Sequence, residues 1–186
     1  MINSINMMVP KTEECLLLLK KYEVPEHVVE HSRRVHAVAL YLCRCLNDHG
    51  ERLDQARVEA GSLLHDIAKM MTLGTGGNHA RAGARLLWEL GFPEVAEIVR
   101  QHVVLDAGPD HSLITEAEVV HYADKRVKHT TIVPLTERFE DLKKRYGKNP
   151  EALAWLEDLE RQSLLLEERI FQRIPIFPEA LAKIGE

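Results

Sequence analysis

A chain of 186 residues, 45% hydrophobic and 28% charged, can bury one globular core, and its formal charge of -5 argues against a broad basic face for duplex nucleic acid. A small anionic substrate stays open, because a bound metal ion supplies a local positive field. The absence of a bilayer-length apolar run, the lack of a signal-peptide pattern, and three cysteines (Cys15, Cys43, Cys45) in no disulfide or zinc-ribbon spacing lead us to expect a soluble cytoplasmic protein with free thiols.

The helical period dominates the chain, and no alternating β-branched run competes with it. It predicts helices at about 10–21, 26–47, 53–71, 78–90, 93–104, 113–129, 134–146 and 150–173. Pro25, Pro93 and Pro150 suit first turns, and Gly50, Gly91 and Gly147 fall where helices should end. Thr72 to Gly77 reads as a connector, with Asn78 capping the next helix, and Asp106 to His111 as a polar loop containing Gly108-Pro109. The expected fold is all-α, one domain over 1–186. Its last helix carries Leu153, Leu156, Leu159, Leu164, Leu165, Leu166 and Ile170, a surface that packs on its own domain by default or forms a homodimer seam.

Ten histidines invite a metal reading, but the helical wheel must select among them. In the second helix Val28, Val35, Val38 and Leu42 lie within about 60° of His31, so His31 faces the core. His36 lies about 140° away and is expected to face solvent. His27 is a weaker rival one turn earlier.

The third predicted helix holds His65-Asp66 in the apolar run Ser62-Leu63-Leu64-His65-Asp66-Ile67-Ala68-Lys69. Burying such a pair is unfavourable unless a partner satisfies it, and a divalent ion would. Val58, Gly61 and Ala68 surround the His65 direction and leave room for a site. His79, His102 and Asp124 each share an apolar face of a later helix, with His121 one turn before Asp124. His49 suits a helix end, His111 a loop rim and His129 the surface.

Four imidazoles and two carboxylates suit Fe, Mn, Co or Zn rather than Ca, and with no cysteine in the set a structural zinc site is disfavoured. Two ions bridged by Asp66, or one held by His31, His65, Asp66 and Asp124, would activate water as hydroxide for attack on a phosphoryl centre. Asp66 and Lys69 are therefore the catalytic candidates, with Lys69 placed for a phosphate oxygen.

Leu64 to Lys69, with the upstream His31-Ser32-x-x-Val35 and the late Tyr122-Ala123-Asp124, resembles the HD-domain metal-dependent phosphohydrolases over about 27–128. The resemblance implies a helical bundle, extended here by C-terminal helices at about 131–174. It also implies a buried metal centre and hydrolysis of phosphate esters or anhydrides, often of nucleotides. His31, His65, Asp66 and Asp124 match the family's defining ligands, and His79 and His102 match the extra histidines of its dinuclear branch.

The bacterial HD-type hydrolases that split diadenosine tetraphosphate symmetrically look like this chain in all six positions and in Lys69. After Asp124, however, this chain runs Lys125-Arg126-Val127-Lys128 where that branch has Glu-Pro-x-Arg, and Val103 stands where threonine is usual. The expected substrate is thus a small phosphorylated molecule, with Lys69, His121, Arg126 and Lys125 as candidate contacts; His121 also reads as a structural residue supporting a ligand, and Lys125 and Arg126 as exposed charges. The competing readings are a di-iron oxygenase of the same fold and a non-catalytic sensor or partner-binding module.

Overall fold

The computed structural model describes residues 9–74, 76–106 and 113–184. The predicted loop segment 107–111, with Gly108-Pro109 and the rim role of His111, lies outside the described residues. Among the described residues eight α-helices run in chain order: α1 (Thr12–Lys21), α2 (Glu26–Asp48), α3 (Gln55–Leu64), α4 (His79–Glu89), α5 (Pro93–Gln101), α6 (Glu116–Arg126), α7 (Leu135–Tyr146) and α8 (Pro150–Phe171). Short 3₁₀ turns cover Met70–Thr72 and Pro178–Lys183. No helix among the described residues is long and apolar enough to cross a membrane.

Local chemistry sets the helix starts. Asn78 caps α4 by accepting from the Arg81 amide at 3.0 Å, Asp54 does the same for α3, and Asn149 for α8. Thr115 and Glu118 form a reciprocal capping box at the start of α6. Pro93 and Pro150 open their helices, as expected, whereas Pro25 stands one position earlier as a cap residue.

Two boundaries differ from expectation in ways that matter. The third helix stops at Leu64 rather than running to about 71. Beyond it the amides of Ile67 and Lys69 bond three residues back, to Leu64 and Asp66, so His65 to Lys69 wind as tight turns. The sixth helix stops at Arg126, and the chain folds into a small antiparallel hairpin that periodicity missed. Its strands are β1 (Val127–Lys128) and β2 (Thr131–Ile132), paired Val127 to Ile132, with His129 in the turn at a φ of 55°. Two-residue strands are too short to show an alternating pattern.

Among the described residues two clusters make the core. Val28, Leu63, Leu64, Ile67, Leu87, Val95 and Val99 join α2, α3, α4 and α5. Val35, Val38, Leu42, Val119, Val120, Tyr122, Phe139 and Ile170 join α2 and α6 to α7 and α8. His31 stands on α2 where the helix passes from one cluster to the other. The α3–α5 contact is close: a Cβ on Gly61 would lie 2.6 Å from Cγ2 of Ile98. Gly61 therefore makes room for a neighbouring helix, not for the site as expected from its small size.

Within α8, Leu156, Leu159, Leu166 and Ile170 are buried against the rest of the chain, while Leu153, Leu164 and Leu165 stay exposed. His36 overturns its expectation. It is half-buried, with Nδ1 3.2 Å from the Ser62 hydroxyl, because α3 packs along that flank of α2.

Candidate metal centre

Two helix ends and a hairpin turn explain how three imidazoles come to aim inward. His65 follows the last residue of α3, where carbonyls run out of helical partners. Its Nδ1–H donates to the Ser62 carbonyl at 2.7 Å, three residues back. His102 repeats the device at the end of α5, donating to the Val99 carbonyl at 2.7 Å. His31 donates from Nδ1 to the His129 carbonyl at 2.8 Å, across the hairpin turn. In each case a carbonyl acceptor fixes the proton on Nδ1 and leaves the Nε2 lone pair free, the orientation common among metal-binding histidines.

Those Nε2 atoms converge. The rings stand in a row, with centroids 5.4 Å apart for His31 and His65, 5.1 Å for His65 and His102, and 5.0 Å for His79 and His102. His79, the first residue of α4, has its Nε2 3.1 Å from that of His102. All six predicted ligand residues are brought together as two triads. In His31–His65–Asp124, and again in Asp66–His79–His102, one donor atom per residue lies within 4.8 Å of the others.

Asp66 stands between the triads. Its Oδ2 is 3.5 Å from His65 Nε2, while its Oδ1 is 3.4 Å from His79 Nε2 and 3.7 Å from His102 Nε2. Asp124 turns Oδ1 toward His31 at 3.1 Å and His65 at 3.7 Å.

The electrostatics fit a cation. Burial alone would push both carboxyls up, but the His65 ring and the Lys69 ammonium beside Asp66, and the Lys125 ammonium and the His31 ring beside Asp124, outweigh it. Both carboxyls are held well below the ordinary carboxylate range. Burial, reinforced by His65, pushes His102 down to about 3, and burial also lowers His79, so these rings stay neutral and able to ligate. His65 Nε2 is buried with no hydrogen-bond partner among the described residues. An orphaned imidazole nitrogen facing carboxylate oxygens is what a divalent ion would satisfy, and the all-nitrogen-and-oxygen donor set suits Fe, Mn, Co or Zn.

Lys69 lies at the rim, its ammonium 2.6 Å from Asp66 Oδ2 and its side chain 44% exposed. The substrate contact expected of Arg126 and the exposure expected of Lys125 are corrected, while His121 takes the supporting one of its two expected roles. Arg126 is buried and cannot meet a substrate. Its guanidinium donates to the Val133 carbonyl, the Tyr122 hydroxyl, Glu167 and the Pro178 carbonyl. His121 is buried behind the site, donating from Nδ1 to the His102 carbonyl at 3.0 Å, so it supports His102 and does not reach outward. Lys125, expected to be exposed, is buried with its ammonium 2.8 Å from Asp124 Oδ2. His27 is exposed and belongs to neither triad.

Sequence reasoning missed Lys125 and the carbonyl of His129. Lysine is rarely buried, so its place beside Asp124 was no signal, and a backbone acceptor leaves no trace in side-chain identity.

A family model described as HD domain matches residues 28–127. The chain is 30% identical over 95 residues to a tRNA (cytidine(56)-2'-O)-methyltransferase of Picrophilus torridus, covering 50% of this chain and 26% of that protein. It is 28% identical over 144 residues to a protein of the same name from Thermoplasma volcanium, covering 67% of this chain and 40% of that one. It thus spans less than half the length of either relative.

Among solved structures, a predicted HD superfamily hydrolase from an uncultured Thermotogales bacterium aligns at a TM-score of 0.48 and 19% identity, covering 86% of this chain and 91% of that one. The segment matched by the family model runs from before His31 to beyond Asp124 and holds both triads. The chain belongs to the HD domain family.

Proposed function

We propose that the chain is a metal-dependent phosphohydrolase that cleaves a phosphate ester or anhydride in a nucleotide or related small phosphorylated molecule. The observation that carries this reading is Asp66, whose two oxygens face different histidine triads while the half-exposed ammonium of Lys69 sits beside it.

His31, His65 and Asp124 would hold one ion and His79 and His102 a second, with Asp66 shared between them. Divalent ions held there would supply Lewis acidity toward a phosphoryl oxygen and water that is nucleophilic near neutral pH. Lys69 is the group able to leave the site for an incoming anion: its exposed ammonium binds a non-bridging phosphate oxygen and offsets charge that develops on it. The buried rings of His65 and His102, pinned by carbonyls at 2.7 Å, keep the donor atoms oriented without reorganisation. The names of the curated relatives concern proteins of which this chain covers less than half, and methyl transfer forms no part of the proposal.

The test is elemental analysis of the purified chain alongside phosphate release from mononucleotides, dinucleoside polyphosphates and cyclic nucleotides with added Mn, Co or Fe. Bound metal with turnover that His65→Ala and Asp66→Ala abolish is expected. No bound metal together with no turnover under any of these ions would overturn the reading.

A further inference from the structure

Lysine is strongly hydrated and rarely buried, so a buried one beside a metal-site candidate calls for a reason. The Lys125 side chain is only 5% exposed, on the helix that carries Asp124. Its ammonium donates to Asp124 Oδ2 at 2.8 Å and to the main-chain carbonyl of His102 at 3.0 Å. That carbonyl also accepts from His121 Nδ1 at 3.0 Å.

The two bonds reach different triads. With Oδ2 taken by Lys125, Asp124 presents Oδ1 to His31 and His65. The second bond holds the backbone of His102, whose ring lies 3.7 Å from Asp66 Oδ1 in the other triad. The contrast with Lys69 is informative. Both ammonium groups hold one oxygen of a candidate metal-binding carboxylate, but the Lys69 side chain is 44% exposed and able to swing outward, whereas Lys125 is enclosed.

We infer that Lys125 is a positioning residue, which makes Asp124 a single-oxygen ligand and ties the two triads into one rigid unit. This rests on the metal-dependent reading above. Lys125 has no route to substrate and acts only through the carboxylate and the carbonyl it holds. Removing its charge leaves a buried carboxylate free to rotate and a carbonyl with one donor fewer, and loss of such supporting bonds weakens metal binding roughly 10- to 100-fold.

The experiment is Mn²⁺ binding to the full chain by calorimetry, with folding followed by far-UV circular dichroism, for wild type, Lys125→Met, Lys125→Gln and Lys125→Arg. The neutral variants are expected to keep their helical signal and lose roughly 10- to 100-fold in Mn²⁺ affinity, with Lys125→Arg recovering most of the loss. Wild-type affinity in Lys125→Met and Lys125→Gln would overturn the inference and leave the phosphohydrolase reading standing. So would a Lys125→Arg protein as weak as Lys125→Met.

If both neutral variants lose their helical signal, Lys125→Arg decides. Near-wild-type affinity then upholds the inference, and a loss of about tenfold or more overturns it. A wild-type chain that binds no Mn²⁺, Co²⁺ or Fe²⁺ would overturn both readings together.

Discussion

Lys69 and Asp66 form a 2.6 Å ion pair in which a rim ammonium holds the same carboxylate oxygen that faces His65. The pair divides binding from holding. Asp66 is buried between two histidine triads, while Lys69 extends into solvent from the tight turns after α3. Removing each should therefore fail differently.

Under the proposed function Lys69→Ala is expected to lower kcat/KM for phosphate release roughly a hundredfold, the scale for losing one charge-stabilising donor, with metal content per chain unchanged. Asp66→Ala should lose metal as well as activity. Elemental analysis of the two variants makes the comparison. Equal loss of metal in both would assign Lys69 to holding the site together instead.

Much of this centre was legible because its chemistry resides in side chains with a helical address. His31 was placed by the valines and leucine on its face of α2, and the His65-Asp66 doublet by its conflict with an apolar run. What stayed hidden depended on backbone or on long-range packing. The carbonyl of His129 meets His31 only because a two-residue hairpin with a φ of 55° follows α6, and neither element has a periodic signature. His36 was misplaced because the wheel knows only the core on one side of α2 and not the arrival of α3 on its flank. Arg126 and Lys125 were misread together, since a lone charge in sequence carries no sign of the partner that will bury it.

Gly61 supplies a test of how α3 is seated. A Cβ at this position lies 2.6 Å from Cγ2 of Ile98, closer than real contacts allow, so α3 or Ile98 must shift. Gly61→Ala should cost about 1–3 kcal/mol, the range for overpacking a close helix contact. Ile98→Ala alone should also destabilise, by leaving a cavity, but in the double variant the two defects fill each other. Urea unfolding should find the pair more stable than the sum of the single losses predicts. Strict additivity would mean the contact is not shared.

His36 gives the chain a pH-dependent element outside the two triads. Burial lowers its pKa, and its Nδ1 lies 3.2 Å from the Ser62 hydroxyl, which itself donates to the Val58 carbonyl and so accepts from the ring. The folded chain then binds fewer protons at this site than the unfolded chain just below the ordinary histidine value of about 6.5. The stability tied to the neutral ring is present above that value and is lost as pH falls from it through the lower folded pKa. Relative to His36→Gln, the wild type should therefore lose stability between about pH 7.5 and 5, read as the difference of urea midpoints at each pH. A constant difference across the range would show that His36 titrates alike in both states.

Arg126 anchors the C-terminal part of the chain to α6. Its guanidinium joins α6 to α8 through Glu167 and the Tyr122 hydroxyl, to β2's flank through the Val133 carbonyl, and to the last 3₁₀ turn through the Pro178 carbonyl. Tyr122 donates in turn to Glu167, so one buried cation satisfies a connected set of acceptors. Removing a single member of such a network leaves the others unpaired, and breaking a buried ion pair from one side costs about 3–5 kcal/mol. Under the proposed function Arg126→Met should thus lower the thermal midpoint strongly while leaving KM unchanged, because the guanidinium is buried on Val133, Tyr122, Glu167 and Pro178, none of them in either triad. Arg126→Lys should recover little, since an ammonium cannot span acceptors arranged around a planar fork. Thermal melts beside substrate titrations of both variants separate the two effects: a raised KM at unaltered stability would return Arg126 to the substrate side of the site.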